Sequence, residues 1–168
     1  EHRGGYLPFE FDIASVLKEG KNVLTLCVQD FSDSSYHANG KQVLKRGGIW
    51  YTAQSGIWQT VWLEEVPENY IEHIKITPVL KSSTILLEIA AKNPESAQIT
   101  VFEHEEAVAE DVTDEHGKAV LKFDAQCPVH PWSPDDPFLY DVKITLGEDE
   151  ITSYFARREF AVLPDEHG

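Results

Sequence analysis

The stretch GGIWYTAQSGIWQTVWLEEVP, residues 47–67, carries three of the chain's four tryptophans beside a tyrosine and a scatter of glycines. Indole and phenol rings present broad apolar faces with one polar edge. They serve either as the wall of a core or as a platform on which a flat-faced ligand stacks. The rings here divide between the two roles. GIWQTVWLEEV (56–66) alternates as a strand, with Ile57, Gln59, Val61 and Leu63 on one face and Trp58, Thr60, Trp62 and Glu64 on the other. Bulky apolar groups on both faces predict cover on both sides, and hence core burial of Trp58 and Trp62. Trp50 and Tyr51 lie ahead of that strand and are the candidate ligand-facing pair, with packing between domains as their competing role.

The other chemistry-bearing residues form no constellation. With 29 Asp and Glu in the chain, close acidic pairs carry no information. EHEE (103–106) has the letters of a metal site, but adjacent side chains on a strand point to opposite faces, so a solvated turn is expected. The seven histidines show no spaced pair on one helix and no Ser or Cys partner in a nucleophile motif. Cys27 and Cys127 are far apart and lack CxxC spacing, which excludes a disulfide framework and a zinc site. Two small buried thiols in a reducing compartment are expected, so the cytoplasm is favoured although no signal fixes localisation. No catalytic residue, metal ligand or cofactor is assigned.

A formal net charge of −15 argues against nucleic acid or an anionic membrane surface as a partner and favours solubility. No stretch approaches the ~18 consecutive apolar residues of a membrane span. The chain opens on EHRGG and contains no methionine, which suggests a piece excised from a longer protein.

Strand signals must position these groups. NVLTLCVQD (22–30) reads as a strand after a turn at Gly20, and FDIASVLKEG before it holds one helical turn capped by Asp12 and closed by Gly20. Residues 31–48 form a long polar loop broken by glycines, of the kind that is usually functional or disordered. Pro67 marks a boundary between domains 1–66 and 67–163. After it, YIEHIKITPVL, TILLEIAAKN, AQITVFEH, EAVAEDVTD and GKAVLKF follow at short spacing. The first has an irregularity near His73 that suggests a bulge. YDVKITLGEDEITSYFARREFAV reads as a hairpin closed by GEDE. Seven strands with no helical period predict an immunoglobulin-like sandwich. CPVHPWSPDDPFLY (127–140), with four prolines, is an extended crossover that brings Trp132 over one end of the core, its N–H on a nearby carbonyl.

Three segments together carry a resemblance: GGYLPFEFDIASVLKEGKNVL (4–24), SGIWQTVWLEEVP (55–67) and WSPDDPFLYDVKITL (132–146). In this order they resemble the amino-terminal half of glycoside hydrolases of the β-galactosidase and β-glucuronidase type, the second glycoside hydrolase family. The resemblance covers nearly the whole chain and implies an all-β fold, a partial jelly-roll sandwich followed by an immunoglobulin-like β-sandwich. It also implies that the front of the jelly roll and a C-terminal TIM barrel with the catalytic carboxylates lie outside the chain. The strands before Pro67 are too few for a jelly roll, and an open edge of this kind favours self-association.

The family's acid/base is a glutamate directly after an asparagine; here Asn93 is followed by Pro94 and Asn69 by Tyr70, so the chain alone is expected to be inactive. The family also sends a carboxylate into the sugar subsite shortly before the small-Gly-Ile motif, and that position holds Trp50. This departure weakens galactoside and glucuronide specificity and points to Trp50 and Tyr51 as a sugar platform. The carbohydrate substrate of the full-length enzyme and the barrel are the partners so implied. A free-standing carbohydrate-binding module and an adhesion-type sandwich are the alternatives.

Overall fold

The computed structural model describes residues 1–123, 130–159 and 162. The chain divides into two compact units, Glu1–Leu63 and Glu64–Gly168. The described residues are all-β, with only two short 3-10 turns beside the strands, and no helix is long and apolar enough to cross a membrane.

The second unit is a sandwich whose strands follow the period-2 pattern of the sequence. One sheet pairs β3 (Ile71–Val79), β4 (Thr84–Ala91) and β7 (Lys118–Lys122) in the order β3-β4-β7. The other pairs β5 (Gln98–Glu103), β6 (Glu106–Val112), β8 (Tyr140–Leu146) and β9 (Asp149–Phe155) in the order β6-β5-β8-β9. All these pairings are antiparallel. Alternate residues turn inward: Ile85, Leu87 and Ile89 from β4, Ile99 and Val101 from β5, and Val142, Ile144 and Leu146 from β8. Each fully buried aliphatic side chain of this size contributes ~1.5–3 kcal/mol. The immunoglobulin-like reading holds, as do the irregularity between Ile71 and His73 and the hairpin after Leu146. Leu146 pairs with Asp149, which leaves Gly147 and Glu148 as a two-residue turn with Gly147 at φ +57°. Glu103 pairs with Glu106, so EHEE is the β5–β6 turn, and no three His, Cys, Asp or Glu among the described residues are grouped to hold a metal ion.

The W-S-P-x-x-P-x-L-Y pattern has a local mechanism. The Ser133 N–H donates to Asp136 O, and the Asp136 N–H donates back to Ser133 O and Oγ, closing a tight turn. The chain then enters β8 at Tyr140, a fully buried residue whose hydroxyl accepts from the His130 N–H at 3.0 Å. This resembles the tyrosine corner of immunoglobulin-like folds. Trp132 departs from the expected plug. It is half-buried, its backbone N–H donates to Arg157 O at 2.9 Å, and the Arg158 guanidinium lies 4.8 Å from its ring. Phe123, Tyr140 and Phe155 fill the core there instead, together with Arg157, which is fully buried with its guanidinium 4.2 Å from the Phe123 ring. Residues 127–129 of the crossover, Cys127 included, lie outside the described residues.

The first unit is looser. Asp12 Oδ1 accepts from the Ala14 N–H at the start of a 3-10 turn over Ala14–Val16, as the sequence indicated, but that turn ends at Leu17 in extended backbone, and Gly20, at φ +84°, bends the chain three residues later rather than closing it. Its ladder is a short parallel pair, β1 (Gln42–Val43) with β2 (Tyr51–Thr52). Residues 22–30 and 56–66 form no strand. Two expectations fail with them. Trp58 and Trp62 are 66% and 71% exposed rather than buried, and Cys27 is an exposed free thiol rather than a buried one. The cause is shared. A strand buries its side chains only when a ladder neighbour and a facing layer exist, and within this unit neither lies over these segments. Trp58 is held by its edge alone: Nε1 donates to Gly5 O at 2.7 Å, and Tyr6 meets the indole edge-on.

Candidate functional site

Glycine geometry places the candidate pair. The chain turns at 47–50, where Gly48 has φ +59° and the Trp50 N–H donates to Gly47 O. That reversal brings Tyr51 and Thr52 alongside Gln42 and Val43, and the Tyr51 N–H donates to Lys41 O at 2.8 Å. Side chains complete the fastening. Asn39 Nδ2 donates to Gln42 O, Gln42 Oε1 accepts from the Gln54 N–H, and Asp33 Oδ1 accepts from the Leu44 N–H. The long polar loop is therefore an ordered support for the site.

The small-Gly-Ile motif closes the far side. Ser55 Oγ donates to Asp30 Oδ2 at 2.8 Å, and Asp30 Oδ1 accepts from the Ser32 N–H. The backbone bond at Ser32, followed by the Ser55 hydroxyl, holds the Asp30 carboxyl below the usual aspartate range. Gly56 has φ +124°, a backbone that L side chains rarely adopt, so glycine is required after Ser55.

The result is an open cleft of ≈ 440 Å³ lined by Gln42, Arg46, Trp50, Tyr51, Thr52 and Gln54. This volume suits a small ligand. Trp50 and Tyr51 are 47% and 63% exposed, so both rings present apolar area to solvent. Gln42, Thr52 and Gln54 supply amide and hydroxyl groups at the same wall, and the Arg46 guanidinium reaches Thr52 Oγ1 at 3.3 Å. Aromatic rings beside amide and hydroxyl groups have the chemistry that suits a polar, flat-faced molecule. No carboxylate, thiol or histidine lines the cleft.

Trp50 and Tyr51 thus share one cleft, while Trp58 and Trp62 are not among its lining residues. Sequence reading missed Arg46, Gln42 and Gln54, because their convergence depends on a parallel pair of two residues per strand, too short to leave a periodic signal.

Comparison with known proteins agrees with the resemblance. Residues 1–67 match the model described as "Glycosyl hydrolases family 2, sugar binding domain", and residues 69–158 match "Glycosyl hydrolases family 2". The chain is 30% identical over 164 residues to a beta-galactosidase of Thermoanaerobacter pseudethanolicus, covering 90% of this chain and 21% of that protein. It is 31% identical over 157 residues to a beta-galactosidase of Lactococcus lactis, covering 85% and 14%. It therefore spans about a fifth or less of the length of these curated relatives. A crystal structure of Ruminococcus gnavus beta-glucuronidase aligns over 56% of this chain and 16% of that one, at 18% identity and a TM-score of 0.47. With both models matched in order along its length, the chain belongs to glycosyl hydrolases family 2.

Proposed function

We propose that this chain is the non-catalytic N-terminal part of a β-galactosidase-like glycosidase hydrolysing O-glycosyl bonds, organised as domains 1–66 and 67–163. It supports a C-terminal TIM barrel that holds the catalytic carboxylates, and Trp50 and Tyr51 line the sugar pocket. The observation that carries the reading is the cleft itself: two exposed ring faces beside amide and hydroxyl groups in the unit that matches the family's sugar-binding domain. Stacking on the apolar face of a pyranose contributes on the order of 1 kcal/mol per ring, so the platform orients substrate rather than transforms it.

The test is Trp50→Ala in the full-length enzyme. About a fivefold fall in kcat/KM on β-galactosides is expected, from the loss of stacking at one ring. Unchanged efficiency on every good substrate removes the platform, and glycoside hydrolysis by residues 1–168 alone removes the non-catalytic assignment. The exposure of both rings also favours a second reading, a carbohydrate-binding module acting by itself. Micromolar binding of a saccharide in calorimetric titration of this chain would select it.

A further inference from the structure

The charge along the chain is uneven at the cleft. Between Asp33 and Glu64 the sequence contains no Asp or Glu, while Lys41, Lys45 and Arg46 stand in the middle of that interval, in a chain of net charge −15. None of these three cations has an ion-pair partner among the described residues; the ion pairs nearest in sequence are those of Arg3 and Lys75. The two carboxylates nearest along the loop, Asp30 and Asp33, accept hydrogen bonds from Ser32, Ser55 and Leu44, and neither lines the cleft. Arg46 does line it. Its guanidinium has five N–H donors, of which one is directed to Thr52 Oγ1.

On the reading that this cleft binds sugar, we propose that Arg46 selects an acidic saccharide, one whose ring carries a carboxylate or sulfate ester while its apolar face lies on Trp50 and Tyr51. The guanidinium fork matches two-oxygen anions, and Arg46 lines the same cleft as Trp50 and Tyr51. A neutral hydroxymethyl group in that position gains one ordinary hydrogen bond, whereas an anion gains a charge-assisted pair. The strong negative charge elsewhere on the chain adds discrimination. An acidic ligand is repelled broadly and attracted at this loop, so the site is marked by contrast.

The test is NMR titration of the 168-residue chain, reading the Trp50 indole resonance, with methyl β-D-galactopyranoside, its uronate counterpart and its 6-sulfate. At low ionic strength, one or both acidic ligands are expected to reach half-saturation at about three- to tenfold lower concentration than the neutral one, the range of an exposed charge-assisted contact. A preference confined to the uronate identifies a carboxylate reader, and one confined to the 6-sulfate identifies a sulfate reader. Added salt is expected to shrink the ratio. Arg46→Gln is expected to bring it close to one, by a larger loss for the acidic ligands than for the neutral one. Equal affinities for neutral and acidic sugars overturn the acid preference and leave the platform standing. An indole resonance unmoved by any saccharide, together with unchanged kcat/KM for Trp50→Ala in the full-length enzyme, overturns both. Acetate or sulfate ions shifting it as strongly as the acidic sugars would show a simple anion site. The salt dependence is read on the unaltered chain, so the outcome stands even if the variant folds poorly.

Discussion

Two residues show how much a single backbone position or side chain governs here. Gly117 closes the turn into β7 with φ +71°; its carbonyl accepts from the Ile89 N–H at 2.8 Å, and its own N–H donates to Asp114 O. A Cβ at this position would stand 2.2 Å from Ile89 O, backbone that cannot yield without breaking the β4–β7 edge. Gly117→Ala is expected to destabilise the sandwich by about 3 kcal/mol, combining left-handed strain with the displaced strand. Gly5→Ala, whose Cβ meets nothing, serves as the control and is expected to change stability little. Urea denaturation of both variants checks the contrast. Arg157 shows the opposite kind of surprise. ARRE looks like surface in sequence because arginine is rarely fully buried. In the fold Arg157 is 0% exposed, and among the described residues its guanidinium lies against the face of Phe123, with the Tyr140 side chain also interacting with it.

At the scale of elements, one histidine helps to fasten the crossover to the sandwich. His130 Nε2 lies 2.7 Å from Asp136 Oδ2, its ring stacks on Phe138 at 4.0 Å, and Nδ1 is 3.6 Å from Glu103 Oε1 at the end of β5. Tyr140 from β8 accepts its backbone N–H, and His104 in the β5–β6 turn meets Phe138 edge-on. The hydrogen bond to Asp136 is the main cause that raises the His130 pKa above its ordinary 6.5, with partial burial opposing and both carboxylates adding. A raised folded value means that the protonated form stabilises the fold. The contribution is full below about 6.5 and fades as pH climbs through the folded value. An NMR titration of the His130 ring is expected to give a midpoint above 6.5, brought down by Asp136→Asn. A midpoint at or below 6.5 in the unaltered protein would refute the tether.

Legibility also belongs at this scale. The strands of the sandwich announced themselves because each alternates Ile, Val or Leu with polar residues and ends in a turn cluster, and because each has a neighbour close in sequence or in an adjacent hairpin. NVLTLCVQD and GIWQTVWLEEV announce themselves as strongly, yet form no strand. A pattern states what a segment can cover, not whether anything is there to be covered. Trp58, Trp62 and Cys27 follow from that gap, being burial expectations that needed a second layer. The cleft was half legible. Trp50 and Tyr51 stood out as aromatic residues near glycines, whereas Arg46 depended on a turn geometry that leaves no periodic trace.

At the scale of the whole molecule, the buried side chains among the described residues fall in one unit. They lie between Thr84 and Arg157, and no residue of Glu1–Leu63 is buried. The unit that holds the cleft is thus secured by turns, side-chain hydrogen bonds and one short parallel ladder, without a core of its own. Local opening free energy tracks buried apolar contact and ladder hydrogen bonding, so the two units should differ widely in stability. Amides of β4, β5 and β8, each flanked by a strand on both sides, are expected to exchange with solvent only on global unfolding. Those of 22–30 and 56–66, which lack ladder partners, are expected to exchange at least about a thousandfold faster, the smallest ratio that a global stability of ~5 kcal/mol implies. Hydrogen exchange read by NMR or mass spectrometry on the 168-residue chain measures both sets at once. Protection of 56–66 equal to that of β8 would mean that a second layer covers Trp58 and Trp62 after all. The site then would rest on a packed wall instead of on the hydrogen-bonded loop that holds Trp50 and Tyr51 in place.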